Sequence, residues 1–164
     1  MRLIETMSGV AGARWQSDEQ LHVTLRFIGD LDNDRAEDVA LALGAVSAEA
    51  LDVTVCGVGA FDTRGHPNAI WAGVAPREPL AALHRKIDRA LVRIGLDPEH
   101  RAYQPHVTLA RMKNAGFVDS WLNDHAGLSL PPFSVDHFLL FESHLGRTGA
   151  SYEAVARYPL RTAG

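Results

Sequence analysis

Apolar residues recur at helical spacing in four segments of the chain. The clearest segment is residues 79–95, where apolar side chains recur at steps of three or four positions along one face. A proline lies at its start and a glycine at its end, which is typical of helix boundaries. We predict helices over residues 1–10, 34–50, 79–95 and 117–125.

Segments rich in β-branched and apolar residues predict strands between these helices. The predicted strands span residues 21–28, 51–61, 70–75, 106–111, 133–142 and 152–160. Strands and helices alternate irregularly, and the connections between them are short. This order favours an α+β fold in which helices cover antiparallel sheet.

Composition and charge narrow the class of protein. The 164 residues carry a formal net charge of −4, whereas proteins that bind a long phosphate backbone are usually basic. The length suits a single domain over residues 1–164. No apolar run reaches the about 18 residues of a membrane helix, and the single cysteine, Cys56, favours a reducing compartment. We therefore expect a cytoplasmic monomer that does not contact membranes.

The tetrapeptide HVTL occurs twice, as His22–Leu25 and as His106–Leu109. An apolar tetrapeptide can recur by chance, but a recurrence that keeps His and Thr in the same phase is much less expected. Alternate residues of a strand share a face, so the His and Thr of each copy point one way and its Val and Leu the other. If the two copies face one volume, two imidazoles and two hydroxyls surround it.

Two imidazoles in one site suit the cleavage of a phosphodiester. One takes a proton from the nucleophile and the other gives a proton to the leaving oxygen, and histidine holds both states near neutral pH. Threonine hydroxyls and an arginine can hold the phosphate oxygens, and no metal is required. A metal site is the competing interpretation of two histidines. However, the sequence has no cysteine cluster and no HExxH motif, and no carboxylate alternates with either motif histidine.

The flanks of both motifs resemble those of the 2H phosphoesterases, and within them the RNA 2′,3′-cyclic phosphodiesterases once described as 2′-5′ RNA ligases. The resemblance covers nearly the whole chain. It rests on GARWQSDEQLHVTLRFIGD at 12–30, GVGAF at 57–61, IWAGV at 70–74, YQPHVTLAR at 103–111 and LLFESHL at 139–145. The family usually begins with a strand and the start of a helix. Here Met1 falls inside that helix, so we expect the first strand to be missing.

The resemblance implies a two-lobed fold, with antiparallel sheets, helices outside and a pseudo-two-fold axis through a central cleft. It also implies hydrolysis of a 2′,3′-cyclic phosphate, at an RNA end or in a small cyclic nucleotide, to a 2′-phosphate without a cofactor or metal. Carried over from the family, His22 is the proton donor and His106 the proton acceptor. Thr24, Thr108 and Arg111 match the residues that bind phosphate.

Three further side chains have less direct roles. Arg111 is out of phase with His106 under strict alternation, so a bend or bulge must bring it to the site. Arg26 is in phase with His22, and its role stays open. Phe61 ends a glycine-rich strand beside a turn, which makes it our candidate for stacking on a nucleobase.

Two other functions stay open from the residues alone. The same groups can hold the phosphate of an RNA end or a nucleotide without turnover, in which case the protein is a binding module. The reverse reaction, 2′-5′ ligation of RNA, uses the same site, although water favours hydrolysis wherever the site admits it. Turnover of 2′,3′-cyclic AMP distinguishes an enzyme from a binding module.

Overall fold

The computed structural model describes residues 9–113, 118–146 and 149–161. In chain order the elements are β1 (Ala13–Trp15), a 3-10 turn (Asp18–Gln20), α1 (Asn33–Gly44), β2 (Leu51–Thr63), β3 (His66–Ala75), α2 (Arg77–Arg93), β4 (His106–Met112), α3 (Asp119–His125), β5 (Phe133–Val135), β6 (His137–Gly146) and β7 (Gly149–Pro159). These strands pair in antiparallel fashion. The α+β class predicted from the sequence is confirmed.

The chain divides into two compact units, in agreement with the two-lobed arrangement that the resemblance implies. The first unit comprises the described residues of Met1–Val23, Thr54–Ala75 and Pro105–Pro132, and the second those of Thr24–Val53, Pro76–Gln104 and Phe133–Gly164. The single domain over residues 1–164 and the central cleft stay predictions.

The first unit is built around β4, which has β1 on one edge and β3 on the other, with β2 beyond β3. One face of this sheet is closely packed, and its residues with no exposed surface are Ile70, Ala72, Leu109 and Ala110. In α3, Trp121 is buried, and its ring centroid lies 5.5 Å from that of Trp15 in β1. Contact between these two indoles connects the short edge strand to α3.

The second unit contains α1, α2 and the β6–β7 hairpin, and β5 pairs there with the first three residues of β2. The apolar stripe predicted on α2 is buried, as Leu80, Leu83, Ile87 and Leu91. Three of these residues, Leu83, Ile87 and Leu91, pack in one cluster with residues of α1 and the hairpin, namely Val39, Leu43, Phe138 and Tyr158. Burial of such a stripe supplies most of the stability of a surface helix.

Two predicted elements have different bounds in the structure. The helix predicted over 34–50 ends at Gly44, because the following residues bond to the C-terminal segment: Ala50 donates its N–H to the Arg161 carbonyl at 2.8 Å, and Arg161 donates to Ala48 at 2.9 Å. The strand predicted over 133–142 is split at Asp136, whose carbonyl accepts the N–H of Leu160 at 2.7 Å. The first part becomes β5 and the second becomes β6.

The strand predicted over residues 21–28 is wrong. Within the described chain, its sheet contact is an isolated antiparallel bridge from Val23 to Val107 of β4. The nearby part of the same β4 edge is occupied by β1, and from Thr24 the chain belongs to the second unit. A high β propensity describes how well side chains fit a pleated surface, and it does not supply a partner strand. The predicted helix over 1–10 and the expected loss of an N-terminal strand fall almost entirely outside the described residues.

Candidate active site

A β-bulge in β4 determines which of its side chains share a face. Gly73, Trp71 and Ala69 of β3 pair with three residues of β4, and these are His106, Thr108 and Arg111. Leu109 is left without a partner in β3, because the register shifts by one residue between Ile70 and Trp71. Directly paired residues lie on the same face of a sheet, so the bulge brings Arg111 into phase with His106 and Thr108. We call the face of the first-unit sheet that bears these three side chains the site face.

The bulge required by the sequence argument for Arg111 is therefore present. Its guanidinium is exposed, in contrast to the buried neighbours Ala110 and Met112. Among the described residues it makes no hydrogen bond or ion pair. The phosphate-binding role of Arg111 stays a prediction.

The two HVTL copies meet at their central valines. Val23 and Val107 occupy equivalent positions of the repeat, and they form the antiparallel bridge described above. In an antiparallel pair the residues that flank a bridge come opposite each other crosswise, so His22 lies across from Thr108. Their side chains point away from the face that carries the valines, which places both on the site face. At this bridge the end of the first-unit segment that carries His22 runs antiparallel to β4.

The ring of His22 is held by its own backbone. Its Nδ1 lies 2.7 Å from the carbonyl oxygen of Gln20. A carbonyl only accepts hydrogen bonds, so we assign the proton of the neutral ring to Nδ1. Gln20 is itself fixed by the 3-10 turn: its Oε1 accepts the N–H of Ser17 at 2.9 Å, and its N–H donates to the Ser17 carbonyl at 2.9 Å.

Two aromatic rings surround His106. The centroid of Phe61 lies 4.9 Å from that of the imidazole with an interplanar angle of 82°, and the centroid of Trp71 lies 6.3 Å away. Phe61 and Trp71 also contact each other, with centroids 5.6 Å apart. The three rings therefore restrict one another's rotation. Phe61 is half-buried against the histidine, and its stacking on a base stays a prediction.

Gly59 explains how Trp71 reaches its position. The two residues are directly paired, and a Cβ added at Gly59 would lie 2.2 Å from Cζ2 of the indole. Such a distance is not tolerated between carbon atoms, so the indole can lie across β2 because this position has no side chain. Gly59 of the GVGAF segment therefore contributes directly to the surroundings of His106.

Thr24 and Arg26 follow the first motif into the second unit. Thr24 is exposed at the first position of that unit. The side chain of Arg26 is 9% exposed, its Nε donates to Asp88 Oδ1 at 2.7 Å, and its other nitrogens donate to the carbonyls of Phe27 and Asp97. All three groups bind the guanidinium within its own unit, so Arg26 has a structural role. The alternation of side chains along a strand, which puts Arg26 in phase with His22, does not predict these three contacts.

Sequence reasoning missed several residues around the site. Gln20 carries a signal that could have identified it, because Ser17 and Gln20 have the spacing of a helix-capping box. Trp71, and Arg14 of β1, which pairs with Arg111, carry no comparable signal, since both positions depend on strand register. Among the described residues no group of three or more His, Cys, Asp or Glu side chains can hold a metal ion. In the same part of the chain no helix is both long and apolar enough to cross a bilayer.

The family follows from comparison with known proteins. A model of the 2′-5′ RNA ligase superfamily matches residues 3–147, a range that includes both HVTL copies. The chain belongs to the 2′-5′ RNA ligase superfamily. The resemblance noted from the motifs is thereby confirmed.

Members of this superfamily with a named activity are similar over most of their length. An RNA 2′,3′-cyclic phosphodiesterase of Aeropyrum pernix is 29% identical over 151 residues, covering 90% of this chain and 86% of the relative. One from Thermotoga maritima is 30% identical over 148 residues, covering 88% and 78%.

Solved structures show that the fold is shared. A Thermus thermophilus protein matches with a TM-score of 0.76 at 23% identity, covering 94% of this chain and 85% of the other. Escherichia coli LigT complexed with 3′-AMP matches with a TM-score of 0.74 at 21% identity, covering 95% and 86%.

Proposed function

We propose that the protein hydrolyses the 2′,3′-cyclic phosphate at an RNA end to a 2′-phosphate, by acid–base catalysis with two histidines and no metal. The single observation that carries the proposal is the antiparallel bridge between Val23 and Val107, which aligns the two His-x-Thr motifs at their centres. The names of the Aeropyrum and Thermotoga relatives support the same substrate class. The lone cysteine, Cys56, supports a reducing compartment, so we place the reaction in the cytoplasm. The monomeric state expected from the sequence stays part of the proposal.

The proposed reaction is a single displacement at phosphorus. His106 accepts a proton from a water molecule, whose oxygen forms a bond to phosphorus while the bond from phosphorus to O3′ breaks. His22 enters as an imidazolium and donates its Nε2 proton to O3′, leaving a 3′-hydroxyl and a 2′-phosphate. Proton exchange with solvent restores both rings. The hydrogen bond from Nδ1 to the Gln20 carbonyl supports this assignment, because it keeps a proton on Nδ1 in both charge states, so the proton that the imidazolium gives up comes from Nε2.

Charge that builds up on the phosphate oxygens needs donors on the same face. The Thr108 hydroxyl and the Arg111 guanidinium share the site face with His106, and we propose that both bind these oxygens. Thr24, from the first motif, is proposed as the second hydroxyl. Phe61 is proposed to contact the base with whatever part of its ring His106 and Trp71 leave open.

The experiment is an assay of purified protein with 2′,3′-cyclic AMP in excess EDTA, with the products separated as 2′-AMP and 3′-AMP. We expect 2′-AMP only, and a bell-shaped pH profile that reports two ionisations. His22→Ala and His106→Ala should each lower turnover by about 10²–10⁴-fold. His66→Ala is the matched control, since His66 is exposed at the start of β3.

Each alternative gives a different result in the same assay. Tight binding without product identifies a binding module. Joining of RNA with 2′,3′-cyclic and 5′-hydroxyl ends, without release of 2′-phosphate, identifies a ligase. Full turnover in both histidine variants, or dependence on an added divalent metal, overturns the proposed mechanism.

A further inference from the structure

A second arginine lies directly beside Arg111 on the neighbouring strand. β1 pairs with β4 in antiparallel register, and Arg14 is opposite Arg111. Residues directly opposite in such a pair have Cβ atoms about 4.5–5.5 Å apart and share a face. The bulge at Leu109 has already placed Arg111 on the site face, so Arg14 lies there as well. Both residues are exposed.

The two guanidiniums form a pair of like charges on neighbouring strands. Throughout the described residues neither one has a hydrogen-bond or ion-pair partner. By contrast, several arginines of the second unit are bound to carboxylates, among them Arg26, Arg85 and Arg101. Like charges directly across a sheet are destabilising. A bound anion removes the repulsion and gains charge-assisted hydrogen bonds from both side chains.

The position of Arg14 indicates which anion it meets. Thr108 and Arg111 follow one another along β4, and β1 lies one strand further out, at a spacing of about 4.8 Å. If Thr108 and Arg111 hold the cyclic phosphate, Arg14 lies beyond them and faces the next negative charge of the ligand. In an RNA end that charge is the phosphate on the 5′ side of the terminal nucleotide.

We propose that Arg14 binds this 5′ phosphate and thereby selects an RNA chain over a cyclic mononucleoside phosphate. The inference rests on the proposed function and adds a specificity-determining residue to it. It requires no new chemistry at the reacting phosphorus.

The test uses two substrates that differ in one phosphate: adenosine 2′,3′-cyclic phosphate with and without a 5′-phosphate. We expect the wild type to have a kcat/KM about tenfold higher for the 5′-phosphorylated substrate, since a charge-assisted contact contributes on this scale. Arg14→Gln should remove most of this preference, and Arg14→Lys should keep part of it. Arg93→Gln is the matched control. It removes the same charge from an exposed position at the end of α2, and the preference should stay.

Thermal unfolding shows whether the Arg14→Gln substitution disturbs the fold. Arg14→Gln relieves the like-charge pair, so its Tm should equal or exceed that of the wild type. A wild type with no preference for the 5′-phosphorylated substrate overturns the inference, and so does an Arg14→Gln variant that keeps the preference. In both cases the proposed function stands, because the cyclic phosphate is still opened.

If the wild type opens neither substrate, the proposed function fails and the inference is decided by binding. Adenosine 2′,5′-bisphosphate and 2′-AMP differ by the same 5′-phosphate. A Kd ratio near ten in the wild type that falls towards one in Arg14→Gln supports the inference. Equal Kd ratios in the two proteins overturn it.

Discussion

Replacing Gly59 by alanine tests the arrangement of rings around His106. The added Cβ would lie 2.2 Å from Cζ2 of Trp71, 2.5 Å from Cη2 and 2.7 Å from Cε2. All three atoms belong to one rigid indole, so the ring must move by more than 1 Å to reach ordinary contact. Because Trp71 contacts both Phe61 and His106, this movement disturbs the imidazole.

Two effects of Gly59→Ala are expected. Overpacking of this kind costs about 1–3 kcal/mol, which corresponds to about 2–4 °C in Tm per kcal/mol for a chain of this size. His106 is the proposed base, and a displacement of about 1 Å at such a group costs up to about 10²-fold in rate, so kcat/KM for 2′,3′-cyclic AMP should fall by about 10–100-fold. Gly127→Ala is the matched control, since a Cβ there meets no atom within 4 Å and stability and activity should stay as in the wild type.

A double-mutant cycle identifies the cause. Phenylalanine lacks the Cζ2 and Cη2 atoms of the indole, so in a Trp71→Phe background the same glycine substitution should cost clearly less stability. The reasoning is refuted if Gly59→Ala has the Tm and kcat/KM of the wild type. It is also refuted if the loss is equal in the two backgrounds, because the clash with Trp71 is then not its source.

Three further substitutions test other parts of the structure. Arg26→Gln leaves Asp88 without its charged partner at a site where the two side chains are 9% and 18% exposed. The variant should lose about 2–4 kcal/mol in the free energy of unfolding, measured in urea. A loss below about 0.5 kcal/mol contradicts the structural role of Arg26. Burial raises the pKa of Tyr103 to about 12, so its ionisation does not affect the free energy of unfolding below pH 10 and lowers it as the pH rises from 10 towards 12. In Tyr103→Phe this alkaline loss should be smaller, and below pH 10 the variant should be as stable as the wild type or more so, because its hydroxyl is buried without a partner in the described chain. Arg111→Lys keeps the charge but loses the two-pronged geometry, so kcat/KM should fall about tenfold, and an unchanged value argues against contact with the phosphate.

The local pattern of apolar and polar residues was sufficient to predict much of the fold. The apolar stripe of α2 appears in the structure with each of its main residues buried, because helical periodicity depends only on neighbours along the chain. The segment around Val23 is different. It has the composition of a strand, but among the described residues it pairs through one bridge, since the partner edge is shared with β1 and the following residues belong to the second unit. Competition for a strand edge is a tertiary property that composition does not encode.

The two arginines that follow the motifs also lie where local sequence pattern does not predict them. Under strict alternation Arg26 shares a face with its motif histidine and Arg111 does not, yet Arg26 is bound by Asp88 and Arg111 reaches the site face. The two arginines differ because β4 contains one extra residue, Leu109, which has no partner in β3. In HVTLARM the apolar positions shift phase, because Leu109 and Ala110 are consecutive and both have no exposed surface. Two adjacent buried residues in an otherwise alternating strand are what a bulge leaves in a sequence, so this phase shift is the signal by which the position of Arg111 could be predicted in other members of the superfamily.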